Sequence, residues 1–118
     1  MANNANRIGE LKTLQDAATG AANGTALDMT DAVGALFEVS GTSTGLTVNW
    51  EGSVDGTTWR TLAVADLGST TRARATTHTA TGLYLLESAP GLASVRARVT
   101  ASNPTGSMTV KACAVKVS

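Results

Sequence analysis

Beyond residue 34 the chain alternates. In GLTVNWEGSV, Leu46, Val48 and Trp50 take turns with Thr47, Asn49 and Glu51, the period of two that gives a strand one dry face and one wet face. ALFEVSG sets Ala35, Phe37 and Val39 against Leu36, Glu38 and Ser40, and SVRARVT sets Val95, Ala97 and Val99 against Arg96 and Arg98. In the closing segment SMTVKACAVKVS, Val110 and Ala112 oppose Lys111 and Cys113. Breakers lie between these runs. Asp55-Gly56 supplies the positive φ that a tight turn demands and predicts a hairpin between the Trp50 strand and TTWRTLAVA. Pro90-Gly91 separates GLYLLES from GLASVRARVTA, and NPTG precedes the last strand. The segment DLGSTTRARATTHTAT has no apolar periodicity, carries Arg72 and Arg74, and predicts a long exposed loop or edge.

Some seven short strands divided by Gly, Pro and Asx turns predict an all-β protein, an antiparallel β-sandwich or jelly-roll-like domain. Its core is expected to draw on Phe37, Leu46, Val48, Trp50, Val95, Val99 and Val110, together with Trp59, Leu62, Leu83 and Leu85. Trp59, just past the turn glycine, could instead face a sugar. Before residue 25 the pattern changes. Ile8, Leu11 and Leu14 recur at intervals of three, compatible with a turn or two of helix ending at Gly20, or with an extended arm. The small, Gly-rich ATGAANGTALDM then leads into a first short strand around Thr25 to Met29. The expected organisation is an N-terminal arm, residues 1–24, and a β-sandwich domain, residues 25–118. Fully extended, such an arm could reach on the order of 80 Å and clasp a neighbour.

Composition narrows the classes of function. The 118 residues make one module, and 9 Lys and Arg balance 9 Asp and Glu. Zero net charge removes the electrostatic basis for binding nucleic acid phosphates or an anionic membrane. Charged residues are 15% of the chain, against roughly 25% in ordinary domains, and so bland a surface tends toward association with copies of itself or another protein. No apolar run reaches the roughly 18 residues of a membrane span, and MANNANRIGELK lacks the apolar centre of a signal peptide. The expectation is synthesis in the cytoplasm. Cys113 is the single cysteine, so neither an intrachain disulfide nor a cysteine metal cluster can form.

The catalytic inventory is thin: one His, one Cys, one Tyr and scattered carboxylates. The motifs GxxxxGK[ST], HExxH, GxSxG and a strand-following GxGxxG are all missing. His78, in the polar TTHTAT, is expected in a solvated loop or on a strand face, and Cys113 as a small half-buried thiol. Asp28 and Asp31 flank a turn and are expected to cap it, since DMTDAVG lacks the ligand count of a calcium loop. These residues predict no enzyme, no cofactor and no metal.

The order of the pieces is informative. A strand ending VSG, then VNWEGSVDGTTWRTL, TATGLYLLESAPGLASVRARVTA and GSMTVKACA, led in by LQDAATGAANGTALDM, resembles the small β-sandwich auxiliary virion proteins of tailed bacteriophages, the capsid decoration or cement type. The likeness covers about four fifths of the chain. It implies a non-enzymatic protein on the capsid exterior, with the major capsid protein as partner. Capsid lattices offer threefold positions, so a homotrimer is the favoured oligomer. The expected contacts are Ile8, Leu11 and Leu14 of the arm, with Arg72 and Arg74 pairing with shell carboxylates. On this reading, deleting residues 1–20 leaves the β-domain folded and weakens attachment. Two alternatives stand beside it. One is a tail or connector component of the same virion. The other is a carbohydrate-binding module, with Trp59 and Tyr84 stacking on sugar rings and Asn49, Glu51 and Arg60 bonding hydroxyls.

Overall fold

The computed structural model describes residues 6–117, with side chains from Gly9 to Lys116. In chain order the strands are β1 (Asn6–Ile8), β2 (Lys12–Ala18), β3 (Leu27–Asp28), β4 (Ala32–Gly41), β5 (Thr44–Ser53), β6 (Arg60–Thr61), β7 (Val64–Asp66), β8 (Arg74–Ala75), β9 (Thr77–His78), β10 (Gly82–Leu86), β11 (Ser94–Thr105) and β12 (Met108–Val117). They form two sheets, and the described residues contain no helix. The larger sheet runs β1-β12-β4-β10-β7-β8, with β2 also on β12; the smaller runs β3-β11-β5-β6, with β9 also on β5. All ladders are antiparallel. The two sheets make the predicted β-sandwich.

Register follows from the alternation read in the sequence. On β5 and β11, Val48 faces Val99 and Trp50 faces Ala97, while Glu51 faces Arg96 on the opposite side. On β4 and β12, Val39 faces Val110 and Phe37 faces Ala112. A slip of one residue would turn each of these sets to the wrong side, so burial fixes the pairing. At the centre the Phe37 and Trp50 rings lie 4.6 Å apart and Trp50 lies 5.8 Å from Tyr84. Each such buried side chain contributes about 1.5–3 kcal/mol. The predicted hairpin forms between β5 and β6, with Gly56 at φ 81°. Asp55 Oδ1 accepts from Ser53 Oγ at 2.9 Å and from the Thr57 and Thr58 N–H groups at 2.9 and 2.8 Å. Those bonds hold its carboxyl far below the usual range.

Three expectations need correction. The N-terminal segment does not form the helical alternative. Residues 12–18 pair with β12, Gln15 opposite Val110 and Thr13 opposite Lys111, leaving Leu14 as an extra residue between them. That bulge buries the consecutive side chains of Leu14 and Gln15, which breaks the period of two and imitates a longer period. Gln15 Nε2 donates to Ala22 O at 3.0 Å and to Ala97 O at 2.8 Å, satisfying a buried amide across the two sheets. Toward the far end of β12, β1 continues the same edge, with Asn6 opposite Val117.

The second correction is the phase of β10. Tyr84 and Leu86 enter the core, whereas Leu83 is exposed and Leu85 half-buried. GLYLL is apolar on both faces, so its sequence has no phase; pairing of Tyr84 with Phe37 sets it. Third, Trp59 leaves the core for the outer side of the smaller sheet, and Leu62 only packs against the core margin. The segment predicted as a loop or edge supplies β8 to the larger sheet and β9 to the smaller, so it links the two layers.

Candidate functional site

The outer face of the smaller sheet carries a network of three charged side chains. Because Val48, Trp50, Val95, Ala97 and Val99 point inward, Asn49, Glu51, Arg96 and Arg98 must point outward. Arg96 Nε donates to Glu51 Oε1 at 2.8 Å and Arg98 Nε to Glu51 Oε2 at 3.1 Å. The Arg96 guanidinium carbon sits 4.3 Å from the centre of the Trp59 ring, a cation–π contact that stiffens it. Asn49 Nδ2 donates to Arg98 O at 3.2 Å and Thr100 Oγ1 at 3.1 Å, bracing the adjacent rung. Burial alone would raise the Glu51 pKa; hydrogen bonds and charge from both arginines reverse that and hold it below the ordinary value. One carboxylate thus positions two guanidinium groups and neutralises one. The arrangement presents a rigid cationic excess, fit to receive an anionic group from a partner.

The residues expected to touch a partner are dispersed. Ile8 belongs to β1, opposite Val115, and its side chain lies outside the described residues. Leu11, between β1 and β2, is 64% exposed, while Leu14 lies in the core at 2%. Leu14 therefore acts on a partner only through the strand that it anchors. Arg72 holds φ 53° and donates from Nη1 to Leu67 O at 3.3 Å. Arg74, on β8, pairs with Glu87 at 2.8 Å on open surface. The pair proposed to stack on sugar does not share a surface. Tyr84 is in the core with its hydroxyl donating to Ala80 O at 2.7 Å, far from the outward role expected of it.

His78 has a structural partner that its Thr-rich context does not announce. On β9 it lies opposite Val48, half-buried, and its Nδ1 accepts the Trp50 Nε1–H at 2.8 Å. Its ring centre is 4.1 Å from that of Tyr84. Burial pushes its pKa down, partly offset by the charge of Asp66, so the neutral imidazole keeps its proton on Nε2. Asp28 caps its turn as expected, with Oδ1 accepting from the Thr30 N–H at 2.9 Å and Thr30 Oγ at 2.7 Å. Among the described residues no group of three or more His, Cys, Asp or Glu is placed to hold a metal. Glu51, Arg96 and Arg98 carry a readable signal, the polar half of two alternating strands. Their meeting depends on register, which the sequence does not spell out.

No protein-family model matches the chain and no curated protein matches it. Solved structures do. The crystal structure of the SPBc2 prophage-derived protein YomS superposes with a TM-score of 0.84 at 19% identity, covering 98% of this chain and 99% of that one. The PBSX exported protein XepA superposes with a TM-score of 0.85 at 18% identity, covering 98% of this chain and 40% of XepA. The chain shares its fold with a prophage-derived protein and with part of an exported protein. At these identities the likeness is one of fold, and it bears out the resemblance to small β-sandwich phage proteins read from the strand sequence. YomS matches end to end, whereas XepA has more than half of its length outside the match.

Proposed function

We propose that the chain is a non-enzymatic structural protein of a bacteriophage particle, held on the exterior of the head as a closed homo-oligomer. The observation that carries this is the end-to-end superposition on YomS, a prophage-derived protein of the same extent. In the finer reading it is a capsid decoration protein whose partner is the major capsid protein. A chain with 15% charged residues and no net charge favours protein contacts. The rigid Arg96–Glu51–Arg98 face offers a cationic surface to shell carboxylates. Many weak contacts repeated on a lattice add to strong attachment without any exceptional one. Threefold lattice positions make a trimer the expected stoichiometry.

Sedimentation of a native lysate through a gradient, with the protein located by mass spectrometry, tests this. The expected result is migration with large particles beside a major shell protein. Recovery only at the top of the gradient, as a small species, overturns the particle reading. Separating heads from tails before analysis distinguishes a shell component from a tail or connector component.

A further inference from the structure

The outer face of a sandwich sheet is normally its polar face. In the larger sheet it carries an apolar strip. Leu36 on β4, Leu83 and Leu85 on β10 and Cys113 on β12 all project outward, because Ala35, Phe37, Tyr84, Leu86, Ala112 and Ala114 between them fill the core. Register joins them: Cys113 lies opposite Leu36, and Leu36 opposite Leu85, so one apolar rung crosses three strands. Over it lies a groove of about 200 Å³ whose lining includes Leu11, Leu36, Leu83 and Cys113 together with the charged Glu38 and Lys111. Leu11 and Leu83 project into solvent at 64% and 45% exposure. On the next rung Lys111 faces Glu38, which faces Leu83. Both charged residues are exposed, and among the described residues neither takes part in an ion pair.

We propose that this face is where a second copy of the chain packs. The inference rests on the homo-oligomer reading above and locates its interface. One face carries both halves of a contact: leucines that protrude, a groove that accepts an apolar side chain, an unpaired acid and an unpaired base. A second copy laid on it brings Lys111 of one chain to Glu38 of the other, while leucines leave water on both sides. The outer face of the smaller sheet is unlike it, since its two arginines share one carboxylate and leave a single sign of charge, which repels a second copy of itself. Cys113, half-buried on the apolar rung, becomes inaccessible when the faces meet.

Light scattering after gel filtration of the full chain gives the native mass. The wild type is expected to be an oligomer, and Leu83→Asp and Leu11→Asp are each expected to weaken assembly roughly tenfold or more. Both positions are exposed, so circular dichroism should show an unchanged fold. Glu38→Lys is expected to weaken assembly, and Glu38→Lys with Lys111→Glu to restore it. Cys113 should react slowly with a maleimide in the wild type and faster in Leu83→Asp. A wild-type oligomer that all three single variants leave intact, with Cys113 equally reactive in wild type and variant, overturns this interface while leaving the oligomer standing. A wild type that remains monomeric overturns the homo-oligomer reading and this inference with it, whereas particle association is still judged by sedimentation. Should Leu83→Asp fail to fold, Leu11→Asp and the charge exchange decide, with Cys113 reactivity compared between the wild type and Leu11→Asp.

Discussion

His78 and Trp50 form one unit. The indole N–H donates to His78 Nδ1, and the bond at 2.8 Å requires the imidazole to be neutral at Nδ1. Unfolding returns His78 to its ordinary pKa of 6.5, above the folded value that burial depresses. Below 6.5 the unfolded chain therefore binds more protons than the folded one, and stability falls as pH drops from there through the folded pKa. Above 6.5 this contribution is fully present. Glu51 and Asp28 are likewise held below their ordinary 4.5 and 3.8, so their contribution disappears in a separate, more acidic window. Thermal melts across pH should show two descents on acidification. His78→Gln, whose amide oxygen can still take the indole proton, should flatten the upper descent and leave the lower one. An unaltered upper descent would assign it to another group.

Strands show where the sequence could be read and where it could not. β5 and β11 were legible because one face is apolar and the other polar, and there Val48, Trp50, Val95 and Val99 are buried as expected. β10 was not, since Leu83, Tyr84, Leu85 and Leu86 are apolar on both faces and only pairing with β4 chooses between them. β2 was ambiguous between helix and extended chain for a different reason: its bulge buries Leu14 beside Gln15, and no local rule marks a bulge that a neighbouring strand imposes. The charged face was legible as residues and not as a network, because Glu51 and Arg96 are 45 positions apart in sequence. This changes the expected effect of truncation. Leu14→Ala should cost about 2–5 kcal/mol, a large share of the roughly 5–15 kcal/mol that holds a domain together. Deleting residues 1–18 also removes Gln15 and bares one edge of β12, so circular dichroism should find the shortened chain unfolded or melting far below the intact one. A shortened chain that melts with the intact one would show that β2 is dispensable.

For the molecule as a whole, β12 organises the larger sheet, flanked by β4 on one side and by β1 and β2 in series on the other. Its partners come from the first half of the sequence, so that sheet is completed only when the last strand arrives. The same arrangement sets Asn6 opposite Val117, which puts the beginning and end of the described chain side by side, about 5 Å apart as neighbouring strands are. Seen as a path through space, residues 6–117 are almost a ring. A short glycine-serine linker joining the first residue to the last, with new ends opened between Pro90 and Gly91 in the exposed turn after β10, should give a reordered gene whose product has the same circular dichroism and nearly the same melting temperature. A large fall in that temperature would mean that the turn or the natural break carries structure. If the product folds, the point at which a cargo is fused to this protein can be moved from the β1–β12 edge to the turn after β10, which lies beside the same end of β4.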